Sequence, residues 1–254
     1  MIRTRRRPTG LTLIELLVVL AVLVILAGIV LPKLDGVLGK GHSAQGAAAI
    51  GDVARFMDTF RTLNGRYPDQ YDSMLNAAGT AYAGLLPGAR AKYIPTTLTQ
   101  AEIDSLNLAG VTRVLRHDET AGVDVNDSAV LPAVALTTAT PVMRMDVTNA
   151  EVQGVLLREF RQDVADVGTD NTNGARTYLV FGVGPQCTIC NGKAGVMRDA
   201  PLHQDTDPGR FYNRFVVVFA TSREAGEKAE LIGVVGPDGD TMATHVREFL
   251  TSPE

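Results

Sequence analysis

From Leu11 to Leu31 the chain runs for 21 residues with a single charge, Glu15. In a helix these apolar side chains would fall on every side over about 30 Å, the thickness of a bilayer core, so the pattern predicts a membrane-spanning segment. Beyond Pro32 the pattern changes. Lys33, Gly36, Gly39, Gly41, Gly46 and Gly51 crowd helix-weakening residues together and predict a kink or a partly melted stretch. A period of 3.6 then takes over. Ile50, Val53, Met57 and Phe60 recur at spacings of three and four within a helix over about 43–63, with Asp52, Arg55, Asp58 and Arg61 as polar neighbours. This face is expected to pack on a sheet. Asn64-Gly65 predicts the helix end and Tyr67-Pro68 an extended turn after it.

The rest of the chain is patterned less sharply. Short helices are expected over 71–78, 99–108 and 150–161, and strands over 111–115 and 130–136. Clearer strands, rich in Val, Ile and aromatic residues, fall at 177–183, 214–220 and 229–235, the last two flanking 221–228 as a hairpin would. The expected fold class is α+β: a long N-terminal helix packed on an antiparallel β-sheet head. Its parts are a basic leader (1–10), an apolar helix segment (11–31), a helix continuation (32–64) and a globular head (65–254), with 79–174 as an insertion or surface elaboration.

Charge orients the apolar segment. Arg3, Arg5, Arg6 and Arg7 precede it and the next basic residue is Lys33, so the positive-inside bias puts the N-terminus in the cytoplasm and the head outside, with one pass between. A secretory signal peptide has a shorter apolar region, about 7 to 15 residues, ending in a small-residue cut site. A plain uncleaved anchor satisfies length and charge but gives Glu15 no role.

The junction Arg3-Thr-Arg-Arg-Arg7-Pro-Thr-Gly10, followed by Leu11-Thr-Leu-Ile-Glu15, resembles the processing site of the type IV prepilin and type II secretion pseudopilin families. Leu11 departs from the more usual phenylalanine or methionine. The resemblance implies that a prepilin peptidase cuts between Gly10 and Leu11 on the cytoplasmic side and methylates the new amine, leaving the apolar helix on the mature subunit. The stretch from Phe60 to Pro68 looks like the helix exit of type II secretion major pseudopilins, and Pro32 matches a proline common in pilin helices. A pilin-like fold is implied, anchored in the inner membrane before assembly into a periplasmic or extracellular filament. The implied partners are the peptidase, identical or related pilin subunits and an ATP-driven inner-membrane assembly platform.

Glu15 then acquires a purpose. A carboxylate in hydrocarbon costs at least about 2.5–3.5 kcal/mol on insertion scales, so it is expected to have a partner. Cleavage would free the Leu11 amine about one helical turn away, and the same amine of a neighbouring subunit, paired with this carboxylate, would set register. The expected function is a structural subunit of a type II secretion pseudopilus. A type IV pilus or DNA-uptake pilin shares the motif and stays open, as does a membrane-anchored periplasmic enzyme or binding protein.

Composition narrows these classes. Loss of the leader moves the formal charge from −4 to about −8, which argues against nucleic acid as the main partner. No nucleophile elbow, phosphate loop or zincin helix is present, so no enzyme activity and no obligatory cofactor are expected. Cys187-Thr-Ile-Cys190 forms the only cysteine pair, on a loop after a strand. In an oxidising compartment a disulfide is its simplest fate. Two free thiols, or a zinc site completed by His203 or His245, are the alternatives; a thioredoxin-like pair lacks the helix start it needs. Asp163, Asp166, Asp170, Asn171 and Asn173 form one oxygen-rich stretch and Asp238-Gly-Asp240 another. Major pseudopilins often bind calcium in a C-terminal loop, so the resemblance implies a calcium site at Asp238 and Asp240. Neither stretch has the full spacing of a calcium loop, and solvated turns are the simpler expectation there and at Asp205–Gly209.

Overall fold

One helix organises the molecule. In the computed structural model, which describes residues 13–118, 130–191, 195–203, 207 and 209–251 (without the side chains of 29–38), helix α1 runs unbroken over Leu13–Asn64. The melted stretch expected after Pro32 is not seen; a proline removes one backbone donor, and the helix passes through that loss. Its end is as expected, with Gly65 at φ +69° and its N–H donating to the Arg61 carbonyl at 2.8 Å.

Among the described residues eight strands build one sheet: β1 (Tyr71–Asn76), β2 (Tyr93–Thr97), β3 (Arg113–His117), β4 (Val134–Ala135), β5 (Pro141–Met145), β6 (Arg176–Gly182), β7 (Val216–Ser222) and β8 (Glu230–Val235). The order β2-β5-β6-β1-β3-β4 is joined by β7, which pairs with β6 and β8. The hairpin expected from the last two strands forms, with Val217 opposite Val234. The sheet is mixed, however. β1 and β3 run parallel, which corrects the all-antiparallel expectation; the residues between them supply the long crossover that a parallel pair needs.

Helices α2 (Pro87–Lys92), α3 (Gln100–Ala109), α4 (Ala150–Gly154), α5 (Val164–Val167) and α6 (Met242–Thr251) complete the head, a π-turn over Val155–Glu159 extending α4. Both sheet faces are covered. Leu179, Phe181, Val217 and Phe219 pack with Ile50, Val53, Met57 and Phe60 of α1, while Tyr178, Val180, Val216 and Val218 pack with Tyr82, Leu85, Met143 and Leu156 on the opposite side. That double burial explains why β6 and β7 are near-continuous apolar runs instead of alternating ones. Thr99 caps α3 in a reciprocal box with Glu102, at the position expected for that helix.

Two expectations fail for local reasons. Residues 71–78 hold strand β1, not a helix: Tyr71, Met74 and Leu75 have helical spacing, but a register shift with Met74 at φ +58° sends Tyr71 to the α1 face and Met74 and Leu75 to the other. The strand expected over 130–136 shrinks to β4 and one bridge at Val130. Residues 79–174 are no surface elaboration either, since they donate β2, β3, β4 and β5 to the sheet.

Candidate functional site

The two ends of α1 meet different surroundings. From Leu13 to Leu26 every large apolar side chain is half-exposed or more, from 49% at Val22 to 82% at Leu13, and Glu15 lies among them in the first described turn. Fully covering a side chain of this size contributes about 1.5–3 kcal/mol, so the surface strongly favours a non-aqueous partner. Among the described residues no helix is long and apolar enough to cross a membrane. The expected span covers 11–31, and the side chains described within it stop at Gly28. Gly10 and Leu11 lie outside the described residues.

Farther along, α1 is gripped. Ile50, Val53, Met57 and Phe60 are each at most 4% exposed, as the periodicity predicts. Against the adjoining face lie α6 and the segment around His203. A Cβ built on Gly46 would stand 3.0 Å from His203 Nε2 and 3.3 Å from His245 Cε1, and one on Gly51 3.0 Å from Met242 Cε. These two glycines therefore let neighbouring elements approach the helix backbone, a role that the sequence pattern presents only as helix weakness. Gly39 and Gly41 have nothing within 4 Å of such an atom.

The histidine rings of His203 and His245 stand 5.3 Å apart, both nearly buried, and Glu248 Oε2 lies 3.5 Å from His245 Nδ1. They are not gathered with the cysteines: among the described residues no group of three or more His, Cys, Asp or Glu is arranged to hold a metal. The expected zinc set is thus not assembled there. Cys187 is buried in the core beneath α1 and Cys190 packs at its margin, with no bond between the two sulfurs in this structure. Burial pushes the Cys187 thiol well above its ordinary pKa and that of Cys190 up to about 11, the reverse of what a redox catalyst needs.

Both oxygen-rich stretches are internally satisfied. Asp240 Oδ1 accepts from Lys92 Nζ at 2.6 Å, Glu151 holds the same ammonium at 2.9 Å, and Asp238 Oδ1 accepts the Asp240 N–H at 2.9 Å. Burial disfavours the Lys92 charge, yet these hydrogen bonds outweigh it and raise the lysine pKa. The arrangement does not fit a calcium ion, because a fixed positive charge already occupies the carboxylate that would bind it. Lys92 carries no sequence signal that would have paired it with Asp240, which lies in a distant turn. In the other stretch Asp170 caps its own turn through Thr172 and Asn173 N–H groups, while Arg144 and Arg223 donate to the Asn171 carbonyl. Asp163 stands at the N-terminal cap position of α5, Asp166 lies within that helix 3.5 Å from Arg176 Nε, and Asp207 accepts the Gly209 N–H. The turn expected over 205–209 falls mostly outside the described residues, which there include only Asp207 and Gly209.

Taken together, an apolar stalk that leads without interruption into a sheet-seated helix gives an α+β architecture consistent with a pilin-like fold. The family model for the prokaryotic N-terminal methylation motif matches residues 5–31. Type II secretion system core protein G of Aeromonas hydrophila is 36% identical over 64 residues, amounting to 25% of this chain and 45% of that protein. Over that stretch the chain is similar to that protein, and it spans somewhat under half its length. No solved structure matches significantly.

Proposed function

We propose that the chain is a structural subunit of a type II secretion pseudopilus, cut by prepilin peptidase after Gly10, methylated at Leu11 and assembled through α1. The observation that carries this is the uncovered apolar surface from Leu13 to Leu26 in continuity with a helix whose other end is held rigidly in the head. Before assembly that surface lies in the inner membrane, with the N-terminus cytoplasmic and the head outside. In the filament the same surface meets α1 helices of identical or related subunits. Bringing such helices together withdraws apolar area without a catalytic step. Glu15 supplies direction and register by pairing with the Leu11 amine of a neighbour, an opposite charge that fixes the relative position of two helices in apolar surroundings. An inner-membrane platform supplies the work of extraction.

The decisive experiment is the mass of the N-terminal peptide from protein purified out of its own cell membranes. A peptide beginning at Leu11 with one added methyl group is expected. A chain that keeps Arg3 to Gly10, or one cut near Ala27, overturns the proposal and leaves an anchored or secreted head of another function.

A further inference from the structure

Among the described residues of the connection from β6 to β7 (183–191, 195–203, 207 and 209–215), ladder pairing is confined to a single bridge between Leu202 and Arg214. Short turns hold it instead. Asp69 and Thr188 exchange hydrogen bonds, Asp69 N–H to Thr188 Oγ1 at 2.8 Å and Thr188 N–H to the Asp69 carbonyl at 2.9 Å. The Ile189 carbonyl accepts from both Val196 and Met197. Ile189 and Met197 reach the core that seats α1, so the position of this loop determines part of the helix seat.

Cys187 and Cys190 bracket the turn at its centre. The N–H groups of Cys190 and Asn191 both donate to the Cys187 carbonyl at 2.9 Å, which folds Cys187 to Cys190 into one tight turn. First and fourth residues of such a turn have Cα atoms less than about 7 Å apart, the separation that a disulfide spans. Both side chains also meet the same core, Cys187 inside the α1-facing cluster and Cys190 packed against it.

We infer that Cys187 and Cys190 form a structural disulfide that braces the β6–β7 connection beneath α1. This rests on the extracytoplasmic placement of the head under the proposed function, where a protein disulfide can act as oxidant. One cysteine thiolate attacks the oxidant's S–S bond to give a mixed disulfide. The other cysteine displaces it, so that the Cys187–Cys190 bond forms, the oxidant leaves as a dithiol, and two electrons and two protons pass to it. The bond forms before the loop is packed, since the folded core shields Cys187 completely. Once made, it is shielded from reductant by the same burial. Its role is a brace and not turnover, because the folded thiols resist ionisation.

The test uses the full chain from native membranes, unfolded in denaturant that already contains excess N-ethylmaleimide, so that any free thiol is capped as it is exposed, and then digested. The expected result is a Cys187–Cys190 peptide two hydrogens lighter than the dithiol form, carrying no maleimide until it is reduced. Maleimide on either cysteine without prior reduction, or a bond from either to another molecule, overturns the inference. The same spectrum contains the N-terminal peptide, so free thiols on a chain beginning at Leu11 refute the disulfide alone, whereas an intact leader refutes the proposed function. Protein reduced while unfolded and refolded with its thiols kept reduced is expected to have a Tm about 4–8 °C lower than the untreated protein, from the entropy of closing so short a loop. In Cys190→Ser the same treatment should cause no shift. An unchanged Tm on reducing the unaltered protein overturns the bracing role.

Discussion

The first and last thirds of α1 share a backbone and differ in where their apolar side chains point. Between Leu13 and Leu26 they surround the axis and remain exposed; between Ile50 and Phe60 they form one stripe and are buried in the head. Helicity therefore says nothing about the role of either part. The angular distribution of apolar residues does, since a stripe is satisfied by one sheet and a full circumference only by lipid or several other helices. The largest expected effect separates them directly. Met57→Ala should cost the head about 2–5 kcal/mol in urea unfolding of the detergent-solubilised chain, by lost burial and a residual cavity. Leu20→Ala should stay within about 0.5 kcal/mol in the same assay while lowering the yield of sedimentable filament. Equal losses of head stability from both would erase the distinction.

Gly46 marks the point where the helix passes into its seat. Gly46→Val would drive side-chain atoms toward His203 and His245, at a cost of about 1–3 kcal/mol, read as a lower Tm of the solubilised chain. An unchanged Tm would mean that α6 and the His203 segment do not close on the helix in solution.

Two carboxylates sharpen the contrast. Asp72 is buried in the head, where burial raises its pKa even though His117 and the hydrogen bond from Tyr212 Oη, at 2.9 Å, offset part of the effect. The folded state then holds the proton more tightly than the unfolded chain. Stability is greatest below the ordinary carboxyl pKa and declines as pH rises through the raised folded value. Asp72→Asn should flatten that decline in a series of unfolding curves from mildly acidic to neutral pH. Glu15→Gln should leave the decline intact, because its neighbours are stalk residues and not the head core. A profile that changes with Glu15→Gln and not with Asp72→Asn would reverse these assignments.

What was legible in the sequence followed the same physics. The stripe Ile50-Val53-Met57-Phe60, the Gly65 stop, the short helix beginning near Thr99 and the hairpin of β7 and β8 all depend on residues close in sequence, and all formed as expected. Strands β2 and β5 escaped notice because Pro95 and Pro141 interrupt their patterns; β2 tolerates its proline at a sheet edge and β5 begins with one. Helix α6 does carry a local signal, since Met242, Val246, Phe249 and Leu250 recur at helical spacing, but nothing nearby in sequence shows that its enclosed residue, His245, would close on Gly46 of α1. The tie from Lys92 to Asp240 joins segments 148 positions apart, and local pattern holds no trace of such a pair. For the stalk the case is different. Its significance was legible in sequence because the chain devotes a whole helical circumference to surfaces that its own head never covers.

The smallest expected effect lies between the two regions, at Gly39. A Cβ there meets nothing within 4 Å, so Gly39→Ala alters no packing within the subunit. What it changes is the backbone, since alanine has fewer unfolded conformations to lose and favours a helix by about 0.5–1 kcal/mol over glycine. The variant should gain helical signal in far-ultraviolet circular dichroism on warming, while the unfolding midpoint of the head stays where it was, because the head grips α1 only farther along. A rise in that midpoint would show that the helix communicates its stability from the stalk into the sheet. The two regions would then be one cooperative unit, and the glycines between them would be a tuned weakness and not a neutral spacer.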